Sequence, residues 1–320
     1  MKLSVFAVLL QDKPFDDACR ILSEAGAQAV EIGCGGFPGK AHCDAADFLA
    51  HPEKIDAMLA TLKKYGLEIA AFSTHGNPVH PDKAIAKQFH DDFENAVLLA
   101  EKCDVHTVVT FSGCPGGSPE DKTPNWVTCP WPDDFTNILD YQWNQVLIPY
   151  WKNEAEFAKA HGVKVAFEMH PGFCVYNSET LLKLRAAVGD TIGANFDPSH
   201  LFWQGVDPVA AIRELGDAIY YFHAKDTRID KLNTNKHGVL DTKPYGDEVN
   251  RSWIFRTVGY GHSLEVWRDM MSNLHMVGYD GYISIEHEDS LMSVPEGLRK
   301  AIATLQEAMI FENAGGMWWA

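Results

Sequence analysis

The sequence has no Cys-x-x-Cys pair, no Gly-x-Gly-x-x-Gly after its first strand-like run, no low-complexity segment and no internal repeat beyond a strand–helix unit. Nor does any apolar run approach the ~18 residues of a membrane span. Each absence excludes something. Seven scattered cysteines (Cys19, Cys34, Cys43, Cys103, Cys114, Cys129, Cys174), odd in number and unpaired in spacing, fit reduced thiols of a cytoplasmic enzyme better than a disulfide framework. The missing glycine fingerprint weakens an open dinucleotide-binding sheet. Positive charge is also scarce. With a formal net charge of −17, the chain lacks the excess of Lys and Arg that gripping nucleic acid or an anionic membrane requires, although a local basic pocket remains compatible. The opening Met-Lys-Leu-Ser-Val-Phe-Ala-Val-Leu-Leu is short and runs directly into Gln11-Asp-Lys-Pro, with no small-residue cleavage site. It is expected to be a first strand rather than a signal peptide.

What is present is a 320-residue chain, 46% hydrophobic, in which apolar runs alternate with helical patterns eight times. The runs are Leu3–Leu9, Ala29–Gly33, Leu67–Ser73, Thr107–Ser112, Val163–Glu168, Ile192–Asp197, Ile219–His223 and Tyr282–Glu286. The intervening helical stretches carry their own punctuation, such as Gly26 after Pro14–Ala25 and Pro52 at a helix start. Repeated strand–helix alternation implies parallel strands joined by right-handed crossovers. Eight units in this length predict an α/β fold, a (β/α)8 TIM barrel, forming a single domain over residues 1–320. Long loops are expected after strand 4 (to about Asp140) and strand 7 (about Arg228 to His262). The terminal Gly315-Gly-Met-Trp-Trp-Ala is expected to pack on a neighbour or on another subunit, leaving a homo-oligomer or a partner subunit open.

Strands five to eight end in Glu168, Asp197, His223 and Glu286. In a barrel, adjacent strands lie about 4.8 Å apart, so four successive tips can converge on one cation. Taken singly, each is an ordinary polar loop residue. Together, three carboxylates would repel one another unless a cation lay between them. Three oxygen ligands and one imidazole suit Mn²⁺, Mg²⁺, Co²⁺ or Zn²⁺, and point away from a structural zinc. Near these tips lie His170, His200, Lys225 with Asp226, and, ending strand three, His75 and Asn77. His170 is the candidate base, because a neutral imidazole beside a cation can accept a proton at working pH. His75 and His200 are expected to orient ligands or touch substrate, and His80, His90, His106 and His161 to be structural. Trp126, Trp131 and Trp143, in or beside the strand-four insertion, offer either a flat wall for a sugar or packing for the loop.

The ordered pieces Ser73-Thr-His-Gly-Asn-Pro, Phe167-Glu-Met-His, Asn195-Phe-Asp-Pro-Ser-His200, His223-Ala-Lys-Asp226, Val258-Gly-Tyr-Gly261 and Ile285-Glu286 span nearly the whole chain. Together they resemble the xylose isomerase-like barrel superfamily, in particular its sugar phosphate isomerase/epimerase branch of ketose 3-epimerases, inosose dehydratases and their relatives. The resemblance implies that Glu168, Asp197, His223 and Glu286 bind one divalent cation, often Mn²⁺. The departures narrow it. Thr107–Ser112 lacks the strand-four histidine of the endonuclease IV relatives, and Cys174 stands where ketose 3-epimerases carry a second glutamate. The Glu168/His170 pair and the Arg228–His262 insertion look more like relatives acting on 3-keto sugars and glycosides.

The expected activity is a metal-dependent sugar isomerase or epimerase, transferring a proton through an enediolate beside a keto group. Glu168 or His170 would take the proton and Glu286 return it, with His75, His200, Lys225 and Arg256 as substrate contacts. The alternatives are a lyase eliminating an aglycone from a 3-keto-glycoside, like the C-glycoside deglycosidases, and a non-catalytic sugar-binding barrel or subunit.

Overall fold

Short apolar runs covered by helices on the outside and filled by side chains on the inside must be buried on both faces. Ala29–Gly33 and Ile192–Phe196 are buried at every position. The computed structural model describes residues 1–312 and 315–319. Its strands are β1 (Lys2–Phe6), β2 (Ala29–Gly33), β3 (Glu68–Ser73), β4 (Thr107–Thr110), β5 (Lys164–Glu168), β6 (Ile192–Phe196), β7 (Ile219–Ala224), β8 (Asp226–Ile229), β9 (Trp253–Arg256) and β10 (Tyr282–Ile285). Eight of them close into a parallel barrel in the order β1-β10-β7-β6-β5-β4-β3-β2. This is the expected (β/α)8 architecture. The register places Glu168 beside Asn195, and His223 beside Ser284, so the candidate ligands rise from neighbouring strand ends.

The helices follow local rules. Asp82 caps Lys83–Lys102 by accepting from the N–H groups of Ala84 and Ile85, and Asp207 does the same for Pro208–Leu215. Gly26 and Gly66 end their helices in the left-handed conformation that costs a glycine least. Two regions are more ordered than the sequence suggested. The segment before Asp140 contains a helix, Asp133–Asp140, continued by a π-helical stretch, Tyr141–Leu147, and a helix Ile148–Ala160. Pro149, which has no N–H to donate, lies two residues past the end of the widened stretch.

The insertion after strand 7 holds the antiparallel ribbon β8–β9 and the helix Lys231–His237. Asp226 ties this ribbon down. Its carboxylate accepts from the N–H groups of Thr227, Gly259, Gly261 and His262, and from the His262 ring. A Cβ at Gly261 would lie 2.4 Å from an Asp226 oxygen, which explains the glycine there. Trp151 and Trp267 are fully buried in the main core. The tail through Trp319 exposes Trp318 and Trp319 rather than packing them on the barrel; Ala320 lies outside the described residues. Among the described residues, no helix is long and apolar enough to cross a membrane.

Candidate metal centre

The four strand-tip side chains converge. One ligand atom from each of Glu168, Asp197, His223 and Glu286 lies within 4.8 Å of all the others. Local structure fixes each of them. Asp197 caps the short helix Pro198–Phe202, its Oδ1 accepting from Ser199 N–H at 2.8 Å, which leaves Oδ2 facing the cluster. His223 donates from Nε2 to both oxygens of Glu31 at 3.0 Å, which frees Nδ1. That Nδ1 lies 3.2 Å from both Glu168 Oε2 and Glu286 Oε2. Asp197 Oδ2 and His223 Nδ1 are both buried and make no hydrogen bond. Buried polar atoms are rarely left so, and these two are suited to a cation.

Glu168 is held from three directions. His75 donates to Oε2 at 3.0 Å, His200 to Oε1 at 3.0 Å, and Asn195 to Oε2 at 3.3 Å. Burial alone would raise its pKa, but the hydrogen bond from His200, the close His223 imidazole and the hydrogen bond from His75 outweigh it and keep the carboxyl well below its ordinary range. Asp197 differs. Burial pushes it up to about 7 against the pull of Lys225, while the neighbouring carboxylates add to the rise. Lys225 is buried with its ammonium 2.7 Å from Glu286 Oε2 and 3.1 Å from both Asp197 Oδ2 and Glu288 Oε2. Burial works against that charge, yet Asp197 and Glu286 hold its pKa well above normal. With Glu31 and Glu288 counted beside the three candidate ligands, five carboxylates face the Lys225 ammonium and the His223 imidazole, whose pKa, against burial, Glu31 and Glu286 hold well above normal; one cation would offset the excess of negative charge. The donor set and the two unpartnered atoms fit a divalent ion.

The structure thus brings His75 and His200 onto Glu168, and Lys225 onto Glu286. His170 stands beside them, its ring centroid 4.0 Å from that of His200, and burial lowers its pKa so that the imidazole is neutral. Arg256 is not brought to the cluster. Opposite Asp226 in the ribbon register, it pairs through Nε with Asp289 Oδ2 at 3.1 Å. Of the three tryptophans, Trp143 is buried under Lys183 and Trp131 is exposed; only Trp126 lines a cavity that reaches His170.

Glu31 was not anticipated. It is fully buried in β2 and accepts from His223, from Ser284 at 2.7 Å, and from Ser73. A lone charge inside the apolar run Ala29–Gly33 was the available signal. Above the carboxylates lies a cavity of about 170 Å³ lined by Phe6, Phe37, His75, Phe111 and His170 among others.

Residues 19–308 match the family model described as xylose isomerase-like TIM barrel. The chain is 39% identical over 312 residues to the uncharacterized protein YfiH of Bacillus subtilis (strain 168), covering 97% of this chain and 99% of that one. It is 27% identical over 239 residues to an inosose dehydratase of Geobacillus kaustophilus (strain HTA426), covering 72% and 71%. Among solved structures it superposes on the IolI protein with a bound zinc atom at a TM-score of 0.66 and 16% identity, covering 96% and 98%.

Proposed function

This chain belongs to the xylose isomerase-like TIM barrel family, and from that premise we propose that it is a divalent-metal-dependent sugar isomerase or epimerase, moving a proton beside the keto group of a sugar or keto-glycoside. The observation that carries the proposal is the convergence of Glu168, Asp197, His223 and Glu286, two of whose buried ligand atoms, Asp197 Oδ2 and His223 Nδ1, form no hydrogen bond within the protein. These four side chains would hold the ion, Mn²⁺ being our choice; the zinc of the IolI neighbour is compatible with the same donor set. When bound, a divalent cation supplies Lewis-acid polarisation of a carbonyl oxygen and offsets charge developing there.

The chain's own residues supply the proton chemistry. Glu168, ionised and braced by His75 and His200, is the base. β5 and β10 lie three places apart around the barrel, so Glu168 and Glu286 reach the centre from different directions. Glu286 is itself ionised: burial would raise its pKa, but Lys225, foremost among its cationic neighbours, draws it well down. The proton it returns must first reach it from solvent, to which its side chain is 13% exposed, because the Lys225 ammonium 2.7 Å away is held too firmly protonated to give one up and serves instead to orient the carboxylate. Return at the same carbon epimerises; return at the adjacent carbon isomerises. The aromatic rings of Phe6, Phe37 and Phe111 line the chamber with apolar surface.

Elimination is the second reading. Loss of a β-substituent from the same deprotonated substrate would make the chain a lyase, with His170 as a second base. The relative named as an inosose dehydratase favours it. NMR in D2O with a panel of keto-sugars and 3-keto-glycosides separates the two. Solvent deuterium at one α-carbon of an intact skeleton supports the isomerase or epimerase, and release of the substituent supports the lyase. No incorporation and no release, with Mn²⁺ present, would overturn both.

A further inference from the structure

Beside the small chamber lies a second compartment that the proton transfer does not use. Its volume is about 400 Å³, against about 170 Å³ over the carboxylates, and His170 lines both. His200, which donates to Glu168, also lines the larger one. The compartment is made by insertions: Trp126 from the loop after β4, Trp203 after β6, and Tyr245 and Trp253 from the ribbon segment. Trp203 and Trp253 stack face to face, with ring centroids 4.7 Å apart. At the rim, Leu240 and Tyr245 remain 67% and 57% exposed, so apolar surface is left at the mouth.

The polar groups of the wall are informative. The indole N–H groups of Trp126 and Trp203 are buried and donate to nothing, whereas that of Trp253 donates to Val239 O at 2.9 Å. Asp241, the wall's carboxylate, is already engaged by Ser252 N–H at 2.6 Å, Lys243 N–H at 3.0 Å and the Lys243 ammonium at 2.9 Å. Among its lining residues no carboxylate is free of protein partners and none is an amide or a guanidinium; ring faces predominate, with the hydroxyls of Thr128, Thr242 and Tyr245 and the imidazoles of His170 and His200 beside them.

We propose that this compartment holds an aromatic ring carried by the substrate. The ligand is then an aryl glycoside, its sugar over Glu168 and Glu286 and its flat, oxygen-bearing aryl group among Trp126, Trp203 and Tyr245. The assignment rests on the centre acting on a sugar, and it narrows the substrate class of that site.

The test is calorimetric binding of three probes, 4-nitrophenyl β-D-glucoside, methyl β-D-glucoside and cellobiose, to the Mn²⁺-loaded protein. The nitrophenyl probe should bind about tenfold more tightly than the methyl one. Trp126→Ala should erase that preference and Trp126→Phe retain most of it. Thr242→Trp, which places a bulky ring in the compartment from an exposed position, should weaken the nitrophenyl probe alone. Equal affinity for nitrophenyl and methyl probes, tighter binding of cellobiose than of the aryl probe, or no binding of any probe would overturn the assignment. Failure of the proton-transfer reading shows elsewhere, in deuterium incorporation, which these unoxidised probes do not require.

Discussion

Glu31→Gln is the most telling perturbation, because Glu31 touches no substrate and yet sets the tautomer of a candidate ligand. Its two oxygens accept the His223 Nε2–H at 3.0 Å each, and it also accepts from Ser284 at 2.7 Å and from Ser73. Glutamine keeps the shape but has one acceptor oxygen and turns an N–H₂ toward either the imidazole or a serine. His223 then loses the carboxylate that fixes its Nε2–H tautomer, and a proton shifted to Nδ1 occupies the lone pair a cation would use. Loss of such a partner costs about 10–100-fold in metal affinity, or ~1.4–2.7 kcal/mol. Calorimetric titration with Mn²⁺ at neutral pH measures it, alongside a thermal melt of the metal-free protein to confirm folding. Ser284→Ala removes a different contact of Glu31 and should change affinity less than about threefold, the His223 bond being intact. A folded Glu31→Gln protein binding Mn²⁺ as tightly as the parent would refute the argument.

Three further outcomes follow from the same contacts. Glu168→Gln and Glu286→Gln should each cut deuterium incorporation by about 10²–10⁴, while His170→Asn leaves Mn²⁺ affinity unchanged but slows the rate; unchanged turnover in both glutamine variants removes them from the chemistry. Trp151→Ala should destabilise by about 3–5 kcal/mol in denaturant melts, since the indole is fully buried against Phe93 and Phe167 and donates to Ser112 O at 2.8 Å; a loss under 1 kcal/mol would contradict this. Burial pushes Asp241 up, but Ser252 and Lys243 hold it down at about 2, below its ordinary 3.8. Its folded pKa being depressed, its contribution of about 2 kcal/mol is present above pH ~4 and lost as pH falls through 2. The stability gap between the parent and Asp241→Asn should therefore close over that window; a gap constant from pH 5 to 1.5 would remove Asp241 as its cause.

The barrel and the four strand-tip residues were legible because each candidate ligand ends an apolar run, and a turn into polar residues marks a strand's C-terminal end. Glu31 escaped because it sits inside its run, where only the closure of β2 against β1 and β3 turns it toward His223. Lys225, expected from its place near a tip to touch substrate, lines the small chamber, and its ammonium also reaches Glu286. Arg256 could not be placed without the β8–β9 register, which sets it opposite Asp226 and within reach of Asp289. The ribbon itself gave little signal, since Trp253-Ile-Phe-Arg256 is four residues long within an otherwise polar insertion. The compartment walled by Trp126, Trp203 and Trp253 draws on residues up to 127 positions apart (253 − 126), so no local pattern announces it.

The central claim is a single cation held by four side chains at the barrel mouth. Anomalous diffraction at the manganese edge, on crystals grown with Mn²⁺, tests it directly. One peak at about 2.0–2.3 Å from oxygens of Glu168, Asp197 and Glu286 and from His223 Nδ1 is the predicted result. A fully loaded crystal whose anomalous signal lies elsewhere, with those four side chains unliganded, would contradict it.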